Sequence, residues 1–179
     1  MTLEPSRWLV DHARVLPSSG HALDVASGSG RNAFWLAARG LNTLAIDRSS
    51  SSVAEIRATA SQLHRRDARP ADHLPLRAEV VDLEVEGATL PVSAFDVVVV
   101  VHYLHRALFP ALKAALRPGG VLVYETFTRA QAQRGRPTNP AFLLEPGELR
   151  TLVAPLEILF EREGDFEGKM LASVIAARR

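Results

Sequence analysis

Ala22-Leu23-Asp24-Val25-Ala26-Ser27-Gly28-Ser29-Gly30-Arg31-Asn32-Ala33-Phe34-Trp35-Leu36-Ala37-Ala38-Arg39-Gly40 reads as a strand, a glycine turn and a helix. Leu23, Val25 and Ala26 suit a buried parallel strand, and Ala33, Leu36 and Ala37 recur at helical spacing before Gly40, placed where a glycine ends a helix. Between them Gly28-Ser29-Gly30 turns the chain. Glycine tolerates the sharp bend and leaves main-chain N–H groups at the helix start open to a ligand, because no Cβ intervenes. Such a turn has the geometry of a nucleotide site.

Downstream, residues 41–46 form a second apolar run that ends in Asp47, 19 positions past Gly28. In a β-α-β unit an acid at about that spacing reaches the tip of the adjacent strand, where its carboxylate accepts both hydroxyls of a ribose. Asp47, first a ribose ligand, can also cap the serine-rich helix expected over residues 49–66, whose Val53, Ile56, Ala60 and Leu63 share one face. One carboxylate can do both. After a loop over residues 67–75, residues 76–83 read as a third strand, and Asp82-Leu83 at its end stands where a base reaches a doubly wound sheet.

Gly87 and Pro91 leave no room for a full helix before Phe95-Asp96-Val97-Val98-Val99-Val100-Val101, whose continuous β-branched character marks a central strand buried on both faces. His102-Tyr103-Leu104-His105-Arg106 follows and leads into a helix expected through Leu116, stopped by Arg117-Pro118-Gly119-Gly120. A fifth strand is expected over residues 121–127, then a long polar connection over 128–145, a short helix over 146–154, and two runs, 156–162 and 169–177, joined as a hairpin. Upstream of the opening strand, Trp8, Leu9, His12 and Val15 share a face of a leading helix over 6–16 that Ser6 can cap.

The composition narrows the function classes. The length of 179 residues predicts one domain over residues 1–179, and 21 Lys plus Arg against 20 Asp plus Glu create no basic field of the kind that dominates nucleic-acid affinity. Without cysteine there is no disulfide, thiolate metal site or thiol nucleophile, which fits a reducing, cytoplasmic setting. Charges scattered through residues 1–15 oppose a signal peptide, and no apolar run approaches the roughly 20 residues a bilayer requires. His102 and His105 are three apart, but no third ligand joins them at metal spacing, so no metal is expected.

The motif Leu23-Asp24-Val25-Ala26-Ser27-Gly28-Ser29-Gly30, with Asp47, Asp82-Leu83, Phe95-Asp96-Val97-Val98-Val99 and Leu116-Arg117-Pro118-Gly119-Gly120-Val121-Leu122, resembles the class I S-adenosylmethionine-dependent methyltransferases over nearly the whole chain. Gly30-Arg31-Asn32 and the small size are similar to the tellurite-resistance-type and other small-molecule methyltransferases; Ala26 stands where the family commonly has its first glycine. The resemblance implies a Rossmann-like fold with a mostly parallel seven-stranded sheet and a C-terminal antiparallel hairpin. It also implies S-adenosylmethionine as cofactor. The cofactor residues it implies are Asp24 for the methionyl ammonium through water, Ala26, Gly28 and Gly30 for backbone approach, and Arg31 for the methionyl carboxylate. Asp47 goes to the ribose, Asp82 and Leu83 to the adenine, and His102 beside the methionyl part.

Methyl transfer from a sulfonium is chiefly a matter of positioning. Tyr103 and His105 are the candidate general bases, and either can instead only pack the helix start. On the acceptor side stand Tyr124 and, on the connection over 128–145, Arg129, Arg134 and Arg136, able to close over an anionic or oxygen-rich small molecule. Two further functions compete. Gly28-Ser29-Gly30-Arg31-Asn32-Ala33 also satisfies the dinucleotide pattern G-x-G-x-x-A, which would suit a short NAD(P)-binding oxidoreductase, although the chain lacks a second mononucleotide half. A non-catalytic module that binds the cofactor without turnover is the other.

Overall fold

The computed structural model describes residues 4–66 and 75–179. Seven strands form one sheet: β1 (His21–Val25), β2 (Asn42–Asp47), β3 (Leu76–Val80), β4 (Phe95–Val101), β5 (Leu116–Phe127), β6 (Glu157–Phe166) and β7 (Lys169–Ala177). Their order is β3-β2-β1-β4-β5-β7-β6. The first five pair in parallel, and β7 enters antiparallel to both β5 and β6. This is the doubly wound, mostly parallel sheet with a terminal hairpin that the sequence predicts.

Strand β4 shows why the chain packs on both faces. Val98 and Val100 join Leu23, Val25, Leu122 and Tyr124 in a core covered by α4 (Phe109–Ala115) and α5 (Glu148–Val153). Val97, Val99 and Val101 face the other way, with Trp8 and Leu9 of α1 (Arg7–Asp11) and Leu36 of α2 (Arg31–Ala38). Val53 and Ile56 of α3 (Ser50–Arg66) complete that layer against Ala45, Leu76 and Ala78. A strand with no polar face is stable only when helices cover both sides.

Gly40 ends α2 as expected: its N–H donates to Ala37 O at 3.0 Å and the Leu41 N–H to Leu36 O at 3.3 Å, the paired bonds of a Schellman cap. Several boundaries differ from the sequence reading. The leading helix is shorter, because α1 stops at Asp11 and a 3₁₀ turn follows. Ser6 does not cap it with its side chain. Strand β3 stops at Val80, and α5 begins at Glu148 behind Gly147 rather than at Pro146. Residues 102–105 are irregular, so α4 starts only at Phe109 after a 3₁₀ turn.

Arg117-Pro118-Gly119-Gly120 lies inside β5 rather than before it, as an irregularity where the register with β4 shifts between Phe95 and Val97. A Cβ on Gly120 would stand 2.9 Å from Arg117 O and 3.0 Å from Phe95 O, so the two strands close at this point only around glycine. Of the loop expected over 67–75, residues 67–74 lie outside the described residues. Among the described residues no helix is long and apolar enough to cross a membrane.

Candidate functional site

The strand register brings the motif residues to one edge. Val25 pairs with Ile46 and Val100, Asp47 with Val80, and Val101 with Glu125, so Ala26, Asp47, Val81, His102 and Phe127 all leave the sheet at its carboxyl end. Ligands of open α/β sheets bind in the crevice at that end.

The glycine turn is tied together by the two acids. Asp24, 1% exposed, accepts the Ala33 N–H at 3.0 Å and so caps the first turn of α2 from inside the strand. Burial pushes its carboxyl up to about 7, against the lowering pull of that bond and of Arg31. Asp47 accepts the Gly28 N–H through Oδ2 at 2.8 Å and the Ser49 N–H through Oδ1 at 2.8 Å. The cap of α3 is Ser49, whose Oγ accepts the Ser52 N–H at 3.2 Å, so Asp47 closes the turn before the helix rather than capping it, and each of its oxygens keeps a lone pair for a further donor.

Ala26, Gly28 and Gly30 all have positive φ, at 52°, 53° and 81°. The two glycines differ in what surrounds them. A Cβ on Gly28 meets nothing within 4 Å, whereas on Gly30 it would stand 2.8 Å from Ile56 Cγ1 and 3.3 Å from the Phe34 ring. Gly28 leaves a cradle open; Gly30 lets α2 pack on α3.

Two cavities flank this edge. The first, of about 390 Å³, is lined by Ala26, Ile46, Asp47, Arg48, Asp82, Leu83 and Glu84 from the ends of β1, β2 and β3 and by Phe127, Pro137 and Phe142 from β5 and the connection after it. The second, larger and more polar, is lined by the N-terminal residues Glu4 to Arg7, by Arg31 and Glu125, and by Arg162 and Lys169 of the terminal hairpin. His102 lines both. Its φ of 60° is rare for a side-chain-bearing residue and turns the chain at the tip of β4. Its ring stacks on Phe127 at 4.7 Å, and its Nδ1 lies 3.5 Å from the Arg31 guanidinium. Burial first, then the charges of Arg31 and Lys169, pull its imidazole down to about 4, so the ring is neutral at pH 7.

Asp82 lies at the first cavity, where its Oδ1 accepts the Glu84 N–H at 2.9 Å, and Leu83 is buried beside it. Tyr103 lines the same cavity and donates to Glu84 Oε1 at 3.3 Å. Burial and Glu84 push its phenol up to about 12.

The remaining candidates stand elsewhere. His105 lines neither cavity; its carbonyl accepts the Leu108 N–H at the start of the 3₁₀ turn. Tyr124 is 1% exposed, stacked on Phe109 and donating to Tyr103 O at 2.8 Å, so it is a core residue and not an acceptor contact. Strand alternation explains this, since Tyr124 shares its face with Leu122 and opposes Val100. Arg134 pairs with Asp165 and Arg129 with Glu145, while Arg136 is exposed, and none of the three lines either cavity. The connection over 128–145 is a folded cover. It carries two 3₁₀ turns and a bridge between Thr128 and Leu144, and Arg106 donates to the carbonyls of Ala141 and Leu143 while gripping Glu148 with two bonds.

Sequence reasoning missed Phe127, Pro137, Phe142 and the buried Glu125. Phe127 was findable as the last residue of a parallel strand, and Phe142 as the lone aromatic in a polar segment. Glu125 gave no local signal, because its partners Ser6, Arg162 and Ser173 lie far away in sequence.

Residues 23–122 match the family model described as a methyltransferase domain. The chain belongs to that family. Methyltransferases of this family use S-adenosylmethionine as methyl donor. Among solved structures, the fold is similar to an S-adenosylmethionine-dependent methyltransferase from Mesorhizobium loti, at a TM-score of 0.72 and 19% identity, with 99% of this chain and 100% of that one covered. It is also similar to TehB from Haemophilus influenzae, at 0.77 and 19%, covering 96% of this chain and 61% of that one. The magnesium protoporphyrin IX methyltransferase ChlM from Synechocystis PCC 6803, solved with bound S-adenosylmethionine, matches at 0.67 and 16%, covering 96% and 75%. No curated protein sequence matches the chain. Space stands open above Gly28, each Asp47 oxygen keeps a lone pair beside it, and Arg31 faces the second cavity, donor and acceptor types of the kind a nucleoside and a carboxylate need.

Proposed function

We propose that this methyltransferase acts on a small-molecule acceptor, with the donor lying across the carboxyl edge of the sheet. The observation that carries the reading is that two cavities on that edge meet at His102. The end of the first cavity formed by Ala26, Asp47, Asp82 and Leu83 would hold the adenosine, with Asp47 accepting from the ribose hydroxyls. Arg31 and Lys169 face the second cavity, and among the described residues neither has a carboxylate partner. They would hold the methionyl carboxylate there. Bound there, the donor would supply an electrophilic methyl carbon to the acceptor's lone pair, its sulfur keeping the electrons of the broken carbon–sulfur bond.

The chain's own part is alignment and exclusion of water. His102, neutral and stacked on Phe127, adds no positive charge next to a sulfonium, and the cover over 128–145 contributes Pro137 and Phe142 to the cavity lining. A small acceptor agrees with the even balance of charge, 21 Lys plus Arg against 20 Asp plus Glu.

Calorimetric titration with S-adenosylhomocysteine tests the cofactor site. Asp47→Ala should weaken binding by roughly 2–4 kcal/mol, because charge-assisted bonds to the ribose are lost. Affinity equal to that of the natural protein would remove Asp47 from the site.

A further inference from the structure

The acceptor end of the first cavity is apolar. On the side of β5, away from β2 and β3 in the sheet, its lining is Phe127, Pro137 and Phe142, with Leu104 and Tyr103 from the segment after β4. Phe142 is a large aromatic side chain left 50% exposed on a segment that is otherwise well fixed. Asn139 accepts the Ala141 N–H at 3.0 Å, and Arg106 holds the carbonyls on either side of Phe142, at 3.0 and 2.9 Å. An apolar ring held rigidly at a cavity wall is a preformed contact for an apolar ligand.

Among the described residues, the one Lys or Arg that lines this cavity is Arg48, and it is paired with Glu84 at 3.2 Å. The cations nearest in the chain are engaged, Arg106 with Glu148, Arg129 with Glu145 and Arg134 with Asp165, and Arg136 does not line the cavity. Arg31 and Lys169, which have no carboxylate partner among the described residues, face the other cavity. The carboxylates of its lining, Asp47, Asp82 and Glu84, already accept hydrogen bonds. Tyr103 has its hydroxyl turned to Glu84, and His102 is half-buried with Arg31 and Lys169 lowering its proton affinity.

We propose, building on the methyl-transfer reading, that the acceptor is an uncharged apolar molecule seated against Phe127, Pro137 and Phe142, whose nucleophile is available at neutral pH without an enzymic base. A hydrophobic thiol has this chemistry. Its proton passes to water, sulfur forms the bond to the methyl carbon, and the products are a thioether and S-adenosylhomocysteine.

The test uses the full chain and two thiols that differ in charge and apolarity, benzyl mercaptan and 3-mercaptopropionate. The expected result is methylation of benzyl mercaptan at a kcat/KM at least about tenfold above that of 3-mercaptopropionate, falling roughly tenfold in Phe142→Ala and largely restored in Phe142→Leu. A second readout is saturation transfer to benzyl mercaptan in the S-adenosylhomocysteine complex, expected for the natural chain and lost in Phe142→Ala. S-adenosylhomocysteine affinity should stay within about twofold in both variants. Preference for the anionic thiol, or transfer and saturation unchanged in Phe142→Ala, would overturn the proposal. So would a Phe142→Ala variant that loses affinity for S-adenosylhomocysteine, since Phe142 would then cover the nucleoside. Failure of the natural chain to bind S-adenosylhomocysteine would instead remove the methyl-transfer reading on which this one rests.

Discussion

Burial holds the Asp24 carboxyl near 7 in the folded chain, against 3.8 as the ordinary value, and this links the glycine turn to pH. The folded state holds the proton more tightly than the unfolded one, so the contribution of this group to stability is complete below about 4 and is lost as pH rises through about 7. Asp24→Asn stays neutral, and its carbonyl oxygen still accepts the Ala33 N–H. Urea midpoints should therefore show the variant gaining on the natural chain between pH 4 and 7, at up to roughly 1.4 kcal/mol per pH unit, and levelling off above. A constant gap across that window would mean that Asp24 ionises as freely folded as unfolded. At this scale the sequence was legible wherever a residue's role follows from its distance along the chain. Asp47 is such a case, since one β-α-β unit fixes where a carboxylate 19 residues past Gly28 must stand, and it meets the Gly28 N–H. Tyr124 is the opposite case: hydroxyl chemistry suggested a site residue, but the alternation of β5 puts it among Leu122 and Val100, under the core rather than in the crevice.

At the scale of elements, periodicity revealed the strands and the long helix because burial on one or both faces writes itself into the residue order. It could not reveal the cover over 128–145, whose order comes from polar bonds to a distant arginine. The Arg106 guanidinium reaches Glu148 at 2.6 and 2.8 Å and two carbonyls of the 3₁₀ turn around Phe142. The Glu148 carboxyl is held below the usual carboxylate range by the bond from Arg106, and the guanidinium is raised by the same bond. Arg106→Ala should cost about 1–3 kcal/mol in a urea titration, since the pair is only part-buried, and should speed proteolytic cleavage near residues 134–139. Arg106→Lys should recover little of either, because an ammonium cannot span a carboxylate and two carbonyls with one planar fork. Unchanged cleavage in the alanine variant would show that the Thr128–Leu144 bridge and the Asn139 cap hold the cover by themselves.

Over the whole molecule, the first residues and the last strands meet at one buried carboxylate. Glu125 on β5, 4% exposed, accepts from Ser6 Oγ at 2.9 Å, Ser173 Oγ at 2.8 Å and the Arg162 guanidinium at 3.1 Å, while the Ser6 N–H donates to Asn32 Oδ1 at 2.9 Å. Arg162 itself lies over the rings of Trp8 and Phe166, at 4.6 and 3.8 Å. This network seats the N-terminal segment against the second cavity and beside Asn32, the neighbour of Arg31. Its effect on binding should then depend on which end of the ligand is present. S-adenosylhomocysteine carries an amino-acid end; 5′-methylthioadenosine keeps the nucleoside and sulfur without it. Ser6→Ala removes one bond to a charged group and loosens the segment, so S-adenosylhomocysteine should bind roughly fivefold to tenfold more weakly, about 1–1.4 kcal/mol. The affinity for 5′-methylthioadenosine should stay within about twofold, because the first cavity gains and loses nothing. Equal weakening of both ligands in calorimetry would mean that Ser6 supports the fold as a whole, and equal affinity of the variant and the natural chain for both would detach the N-terminal segment from ligand binding altogether.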